Sequence, residues 1–225
     1  MVAEKIQHIE NRIASACKRA GRLREHVTLV AVSKKQPAEL VNEALSHGIT
    51  DLGENRVQEY LAKRDSLQSH RFHMIGHLQR NKVRMLIGKT VLIHSVDSVE
   101  LAEEIDRRAA TAGLITYILL EVNSSGEESK FGLSLSEVPD VAGRLQACRN
   151  VRLRGLMTVA EYLEDVEQLR PSFRSLRVLR DELAARFQDV PITELSMGMT
   201  NDFEVAIEEG ATMVRIGSAI FGPRE

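Results

Sequence analysis

The sequence predicts an α/β fold, a single-domain (β/α)8 barrel with one extra helix in front of it. Three observations lead there. Short apolar, β-branched runs alternate with amphipathic stretches along the whole chain. Eight such pairs can be counted, and no Gly/Ser-rich linker or low-complexity tract interrupts them over the 225 residues. A chain of this length is commonly one barrel, whereas an open doubly wound sheet usually has fewer strands, so residues 1–225 read as one domain.

The extra helix runs from Ile6 to Ala20, where Ile6, Ile9, Ile13, Ala16, Cys17 and Ala20 recur at three- and four-residue steps before Gly21 stops it. The first strand, Val27 to Ser33 (VTLVAVS), is continuously apolar, as a strand buried on both faces must be, and Pro37 then opens a helix to His47. The alternation continues with a strand over Thr50 to Gly53 and a helix from Asn55. It repeats over Arg71 to Gly76 with a helix near Asn81, and over Val91 to His94 with a helix from Ser98 to Ala112. Strands over Ile115 to Val122 and Val151 to Met157 are followed by helices over Ser134 to Ala147 and 165–187. Two last strands, Ile192 to Leu195 and Thr212 to Ile216, flank a helix beginning near Asn201.

Composition excludes several functions. Thirty basic residues against 32 acidic ones leave a net charge of -2 and no basic run, so the electrostatic footprint of a nucleic-acid binder is missing. The cysteines, Cys17 and Cys148, fall in no paired motif, which supports neither a disulfide framework nor a zinc site and fits a reducing, cytoplasmic setting. The first residues lack the apolar core of a signal peptide, and no stretch approaches the ~18 apolar residues of a membrane span, so no membrane partner is expected.

In a barrel the chemistry belongs at the C-terminal ends of the strands. The first strand ends in Ser33, Lys34 and Lys35, and period 2 puts Lys34 on the face of Val30 and Val32, pointing into the barrel mouth. A partly desolvated lysine has a lowered pKa and attacks aldehydes; the alternative is a solvated loop lysine beside Lys35. Asn55 with Gln58, and Asn201 with Glu204, have the spacing of helix caps. His73 and His77 lie about 13 Å apart along an extended strand, too far to share a metal unless the chain turns sharply at Gly76, and with no third ligand in the sequence around them they read as rim or loop residues. The loops after strands seven and eight carry Ser196, Gly198, Met199 and Thr200, then Arg215, Gly217 and Ser218. A barrel commonly binds phosphate there, on backbone N–H groups and hydroxyls, with Arg215 adding a fixed positive charge. An amine at strand one facing a phosphate site at strands seven and eight describes a receptor for a phosphorylated aldehyde, and pyridoxal 5′-phosphate is the obvious candidate.

The segments AVSKKQP, LGENRVQEY, HMIGHLQRNK, VNSSGEESKFG, RGLMT, LSMGMTNDFEVAI and TMVRIGSAIFG, spread over 31–222, closely resemble the pyridoxal phosphate homeostasis proteins, the YggS/PROSC family. The resemblance implies a TIM barrel of fold-type III, like the N-terminal domain of alanine racemase, that binds pyridoxal phosphate without demonstrated turnover. It makes Lys34 the Schiff-base lysine, gives the phosphate to Ser196, Gly198, Met199, Thr200, Gly217 and Ser218, and sets Arg215 against the pyridine nitrogen. Asn55, His73 and Met157 match positions lining the cofactor cavity. Arg56 stands where the family usually has an aromatic residue, and Lys130 is a candidate second amine for the cofactor.

Holding and delivering the cofactor, including to apoenzymes, is therefore the expected function, with a monomer as the expected state. The competing reading is an amino-acid racemase. Such an enzyme needs a second acid/base opposite the lysine. Of the three tyrosines, Tyr60 falls on a helix, Tyr117 early in a strand and Tyr162 in a loop, none at an expected barrel-mouth position. Eight units also leave no length for the additional domain that supplies this tyrosine in racemases. A sugar-phosphate isomerase or lysine aldolase is a third reading, since such barrels share the phosphate site by architecture.

Overall fold

The computed structural model describes residues 1–124 and 131–222. Eight strands, β1 (Thr28–Val32), β2 (Asp51–Glu54), β3 (Arg71–Met74), β4 (Leu92–Val96), β5 (Thr116–Glu121), β6 (Val151–Met157), β7 (Glu194–Ser196) and β8 (Met213–Ile216), form a closed barrel in sequence order. All neighbours pair in parallel, and β8 returns to β1 with Thr28 opposite Met213 and Ala31 opposite Ile216. The strands are largely buried because their outer faces meet helices and their inner faces meet the other strands.

The helices are α1 (Val2–Arg19), α2 (Ala38–Ser46), α3 (Val57–Lys63), α4 (Val83–Leu86), α5 (Val99–Ala112), α6 (Val138–Leu145), α7 (Arg170–Arg186), α8 (Phe203–Glu208) and α9 (Ser218–Phe221). α1 lies in the outer ring against α2, α8 and α9, burying Ile6, Ile9, Ile13 and Cys17. The physical reason is that α9 is a single turn of 4 residues and leaves the seam between β8 and β1 uncovered; α1 takes the place of an eighth outer helix. Arg12 and Arg19 clamp it to Glu204 of α8 at 2.7 Å each, and the Arg12 guanidinium lies 4.6 Å from the Phe203 ring centre. Among the described residues no helix is long and apolar enough to cross a membrane.

Candidate binding site

The C-terminal ends of the strands surround a cavity of about 330 Å³, lined among others by Val32, Lys34, Asn55, Thr200, Arg215 and Ser218, a size at the small end of ligand pockets. β1 stops at Val32, and Lys34 stands in the turn beyond it, half-buried, while Lys35 is exposed and left-handed at φ 60°. That turn is held from both sides. The Ser33 hydroxyl donates to Glu54 Oε1 at 2.8 Å, Lys63 Nζ donates to the Ser33 carbonyl at 2.7 Å, and the Lys35 backbone N–H donates to Glu59. Lys63 also pairs with the fully buried Glu54. Burial pushes the Glu54 pKa up, and Lys63 offsets part of the rise. The amine of Lys34 thus stands on a fixed backbone beside a cavity.

Opposite, the loops after β7 and β8 are tied together. The Arg215 N–H donates to the Gly198 carbonyl at 2.9 Å, and the Ser218 hydroxyl donates to Thr200 Oγ1 at 3.3 Å. Gly198 has φ +94°, and a Cβ there would stand 2.7 Å from the Cβ of Ala206, so only glycine lets this loop lie against α8. Met199, Thr200, Gly217 and Ser218 also line the cavity, and the first N–H groups of α9, on Ser218 and Ala219, have no intrahelical acceptor. Arg215 is 4% exposed and spends three N–H bonds on the barrel wall. Nη1 reaches the Ser196 carbonyl (2.7 Å) and hydroxyl (2.6 Å), and Nη2 reaches the Thr158 carbonyl (2.7 Å). Burial pushes its pKa down to about 10, against the pull of Asp202 and Glu121, so it remains a cation at neutral pH.

Other expected residues lie elsewhere. His73 is not a rim residue: it is 1% exposed inside the barrel, below the mouth cavity, bonded to Asp51 and His94. Met157 packs in the interior with Leu92, Leu119 and Met213. Ser196 and Gly198 stand behind the cavity wall and support Arg215 through the bonds above. His77 is on a loop, 3.3 Å from Asp97 and stacked on Phe131. Neither expected capping pair forms. Arg56 is the N-cap of α3 with no side-chain bond, and Asp202 is the N-cap of α8, its carboxylate accepting from the Met199 N–H while Glu204 turns to Arg12 and Arg19. In both places a turn residue after the strand shifts the helix start by one. Arg56 is exposed, and Lys130 lies outside the described residues.

The expectation for the tyrosines needs correcting at one position. Tyr162, on the loop after β6, lines the mouth cavity, although it is 80% exposed. Sequence reading also missed Glu121, buried at the end of β5 with Oε2 unpartnered; burial, with Asp97 adding, pushes its pKa up to about 7. A carboxylate closing an otherwise apolar strand was the available signal.

Residues 5–225 match the family model described as the alanine racemase N-terminal domain. The chain is 46% identical to the pyridoxal phosphate homeostasis protein of Aquifex aeolicus, over 99% of this chain and 98% of that one. The chain belongs to the pyridoxal phosphate homeostasis protein family. Its human member is 40% identical, over 88% of this chain and 76% of the other. Among solved structures, PipY of Synechococcus elongatus with PLP bound superposes with a TM-score of 0.86 at 33% identity, covering 99% of this chain and all of that one. Beside these family members, the mouth cavity here combines a half-buried amine, two hydroxyls and a buried guanidinium, a donor set that fits a phosphorylated aldehyde carrying a ring nitrogen.

Proposed function

We propose that this chain binds pyridoxal 5′-phosphate in the mouth cavity and serves its homeostasis as a carrier, without catalysing turnover of an amino acid. The observation that carries the reading is the placement of Lys34, Thr200, Ser218 and Arg215 around one cavity. When bound, the cofactor supplies an aldehyde that condenses with a primary amine, releasing water. Lys34 is the amine we assign to it. Thr200 and Ser218, with the N–H groups of the glycine loops, hold the phosphate, supported from behind by Gly198 and Ser196. Asn55 and Met199 line the same cavity. Arg215 faces the ring nitrogen and, as a cation, disfavours its protonation, which weakens the ring as an electron sink. His73 and Met157 act from beneath. The carrier reading extends to one domain, acting as a monomer in the cytoplasm and passing the cofactor to apoenzymes. Two cysteines outside any disulfide are consistent with a reducing compartment.

Titration of the purified protein with pyridoxal phosphate is expected to raise an absorbance band near ~420 nm from a conjugated imine. Borohydride removes it and Lys34→Ala never develops it. A wild-type protein without such a band ends the reading. One observation favours a racemase, the position of Tyr162 at the cavity. Its hydroxyl makes no hydrogen bond among the described residues and is largely solvated, which is poor support for a positioned acid/base. Incubation with L-amino acids in deuterated water is expected to give no α-proton exchange; exchange abolished by Tyr162→Phe would establish the enzyme instead.

A further inference from the structure

The interior of this barrel departs from the branched apolar layers usual for the fold. Beneath Arg215 stand Ser196, His94, His73 and Asp51, all at most 3% exposed. They join in one line. Ser196 Oγ lies 2.6 Å from Arg215 Nη1 and 2.8 Å from His94 Nδ1; His94 Nε2 lies 2.9 Å from His73 Nδ1; His73 Nε2 lies 2.7 Å from Asp51 Oδ1. The bond between His94 of β4 and Ser196 of β7 joins strands that are not neighbours in the barrel, so the line crosses its interior.

The two ends decide where every proton sits. A guanidinium has no lone pair and can only donate; an ionised carboxylate can only accept. Ser196 Oγ therefore accepts from Arg215 and gives its own proton to His94 Nδ1. His94, neutral, donates from Nε2 to His73 Nδ1, and His73 donates from Nε2 to Asp51. Every donor meets an acceptor with both imidazoles neutral. Reversing any one link puts two protons face to face or leaves a buried hydroxyl proton without an acceptor, which is costly in this interior. Burial, with His73 and Arg215 adding, holds the His94 pKa well below the ordinary imidazole value. Burial opposes ionisation of Asp51, but hydrogen bonds from His73 and Thr50 outweigh it and bring its pKa below the ordinary carboxylate value.

We propose that Asp51, His73, His94 and Ser196 are positioning residues for Arg215: a one-way chain of hydrogen bonds, anchored on the far side of the barrel, that fixes the orientation of the guanidinium. A carboxylate placed directly on Arg215 would stabilise the cation, but it would occupy the N–H groups nearest the cavity and cancel their field. The chain instead meets Arg215 through a neutral hydroxyl, that of Ser196. Of the five guanidinium N–H groups, the three bonds to Ser196 and Thr158 leave two, on Nε and Nη2, without a partner among the described residues. What those two groups meet rests on the pyridoxal phosphate reading; the order of the chain does not.

The test begins on the cofactor-free wild-type protein, with 15N NMR of the histidine rings and of the Arg215 guanidinium. Both His73 and His94 should be Nε2–H tautomers at neutral pH, and the Arg215 Nη1 protons, which are bonded to Ser196, should exchange slowly with water. His94→Leu should make that exchange at least about tenfold faster, while His94→Gln, which keeps one acceptor and one donor, restores slow exchange. An Nδ1–H tautomer or an imidazolium at either histidine overturns the chain. Unchanged Arg215 exchange in folded His94→Leu overturns the positioning role. In the loaded protein, His94→Leu should weaken pyridoxal phosphate binding about tenfold and move the absorbance maximum, with both reversed in His94→Gln. A wild type that develops no band defeats the cofactor reading alone, since the NMR arms still decide the chain.

Discussion

Glu121 is a residue whose charge the fold tolerates poorly. The residue is 9% exposed with one carboxyl oxygen unpartnered, and burial lifts its pKa from 4.5 to about 7. A carboxyl whose folded pKa is raised contributes its full share of stability below the unfolded value and loses it as pH climbs through the folded one. Wild-type stability should therefore fall between about pH 4.5 and 7. Glu121→Gln should remove that slope and be about 1–3 kcal/mol more stable than wild type at pH 8 in urea denaturation. Glu54 behaves differently because Lys63 pairs with it; Lys63→Met leaves its charge buried and alone, at a cost of about 3 kcal/mol, and frees the Ser33 carbonyl under the Lys34 turn. Equal urea midpoints for Lys63→Met and wild type would contradict that assignment. At this scale the sequence revealed the cavity residues, because Lys34, Arg215 and the glycine loops fall at strand ends where a barrel opens. It concealed Asp51 and His94, since strands buried on both faces show no alternation that separates inward from outward positions.

Elements were legible to within a few residues, and their ends were not. α5 begins and stops where its chemistry says: the Ser98 hydroxyl accepts from the Leu101 N–H at 3.3 Å, and Gly113 closes the helix at φ 66°. Ser98→Ala should cost about 1 kcal/mol in thermal or urea unfolding. At α3 and α8 the same spacing rule failed, because the caps were read from Asn55 and Asn201, which the preceding turns place at the cavity. The 165–187 stretch likewise divides into a 3-10 turn over Val166–Leu169 and α7, with Pro171 in the first helical turn. For α1 the periodicity shows the amphipathic face but no address, since any apolar groove satisfies an amphipathic helix. The ion pairs to Glu204 and Glu208 supply it. These are partly exposed, so Arg19→Ala should cost only about 1 kcal/mol, and the loss should shrink in about 1 M salt.

At the scale of the whole molecule, eight apolar strands in regular alternation specified the barrel, because parallel strands with helical crossovers have few other ways to bury both faces. The closing seam is carried by packing: Ile13 of α1 is fully buried where α1 meets α2, α8 and α9, and Ile13→Ala should cost about 2–5 kcal/mol by thermal denaturation. The position of α1 also orders events during synthesis. Arg12 and Glu204 are 192 residues apart in the chain, and β1 completes its pairing only with β8. The first helix made is thus among the last to find its partner. Until α8 and β8 have emerged, Ile6, Ile9 and Ile13 and one whole edge of β1 remain bare to solvent. A nascent chain stalled before α8 is accordingly a sticky open sheet with two bare edges, β1 and β7, that needs a chaperone's cover or degradation, and release from the ribosome, more than any local helix formation, sets when this protein becomes safe from aggregation.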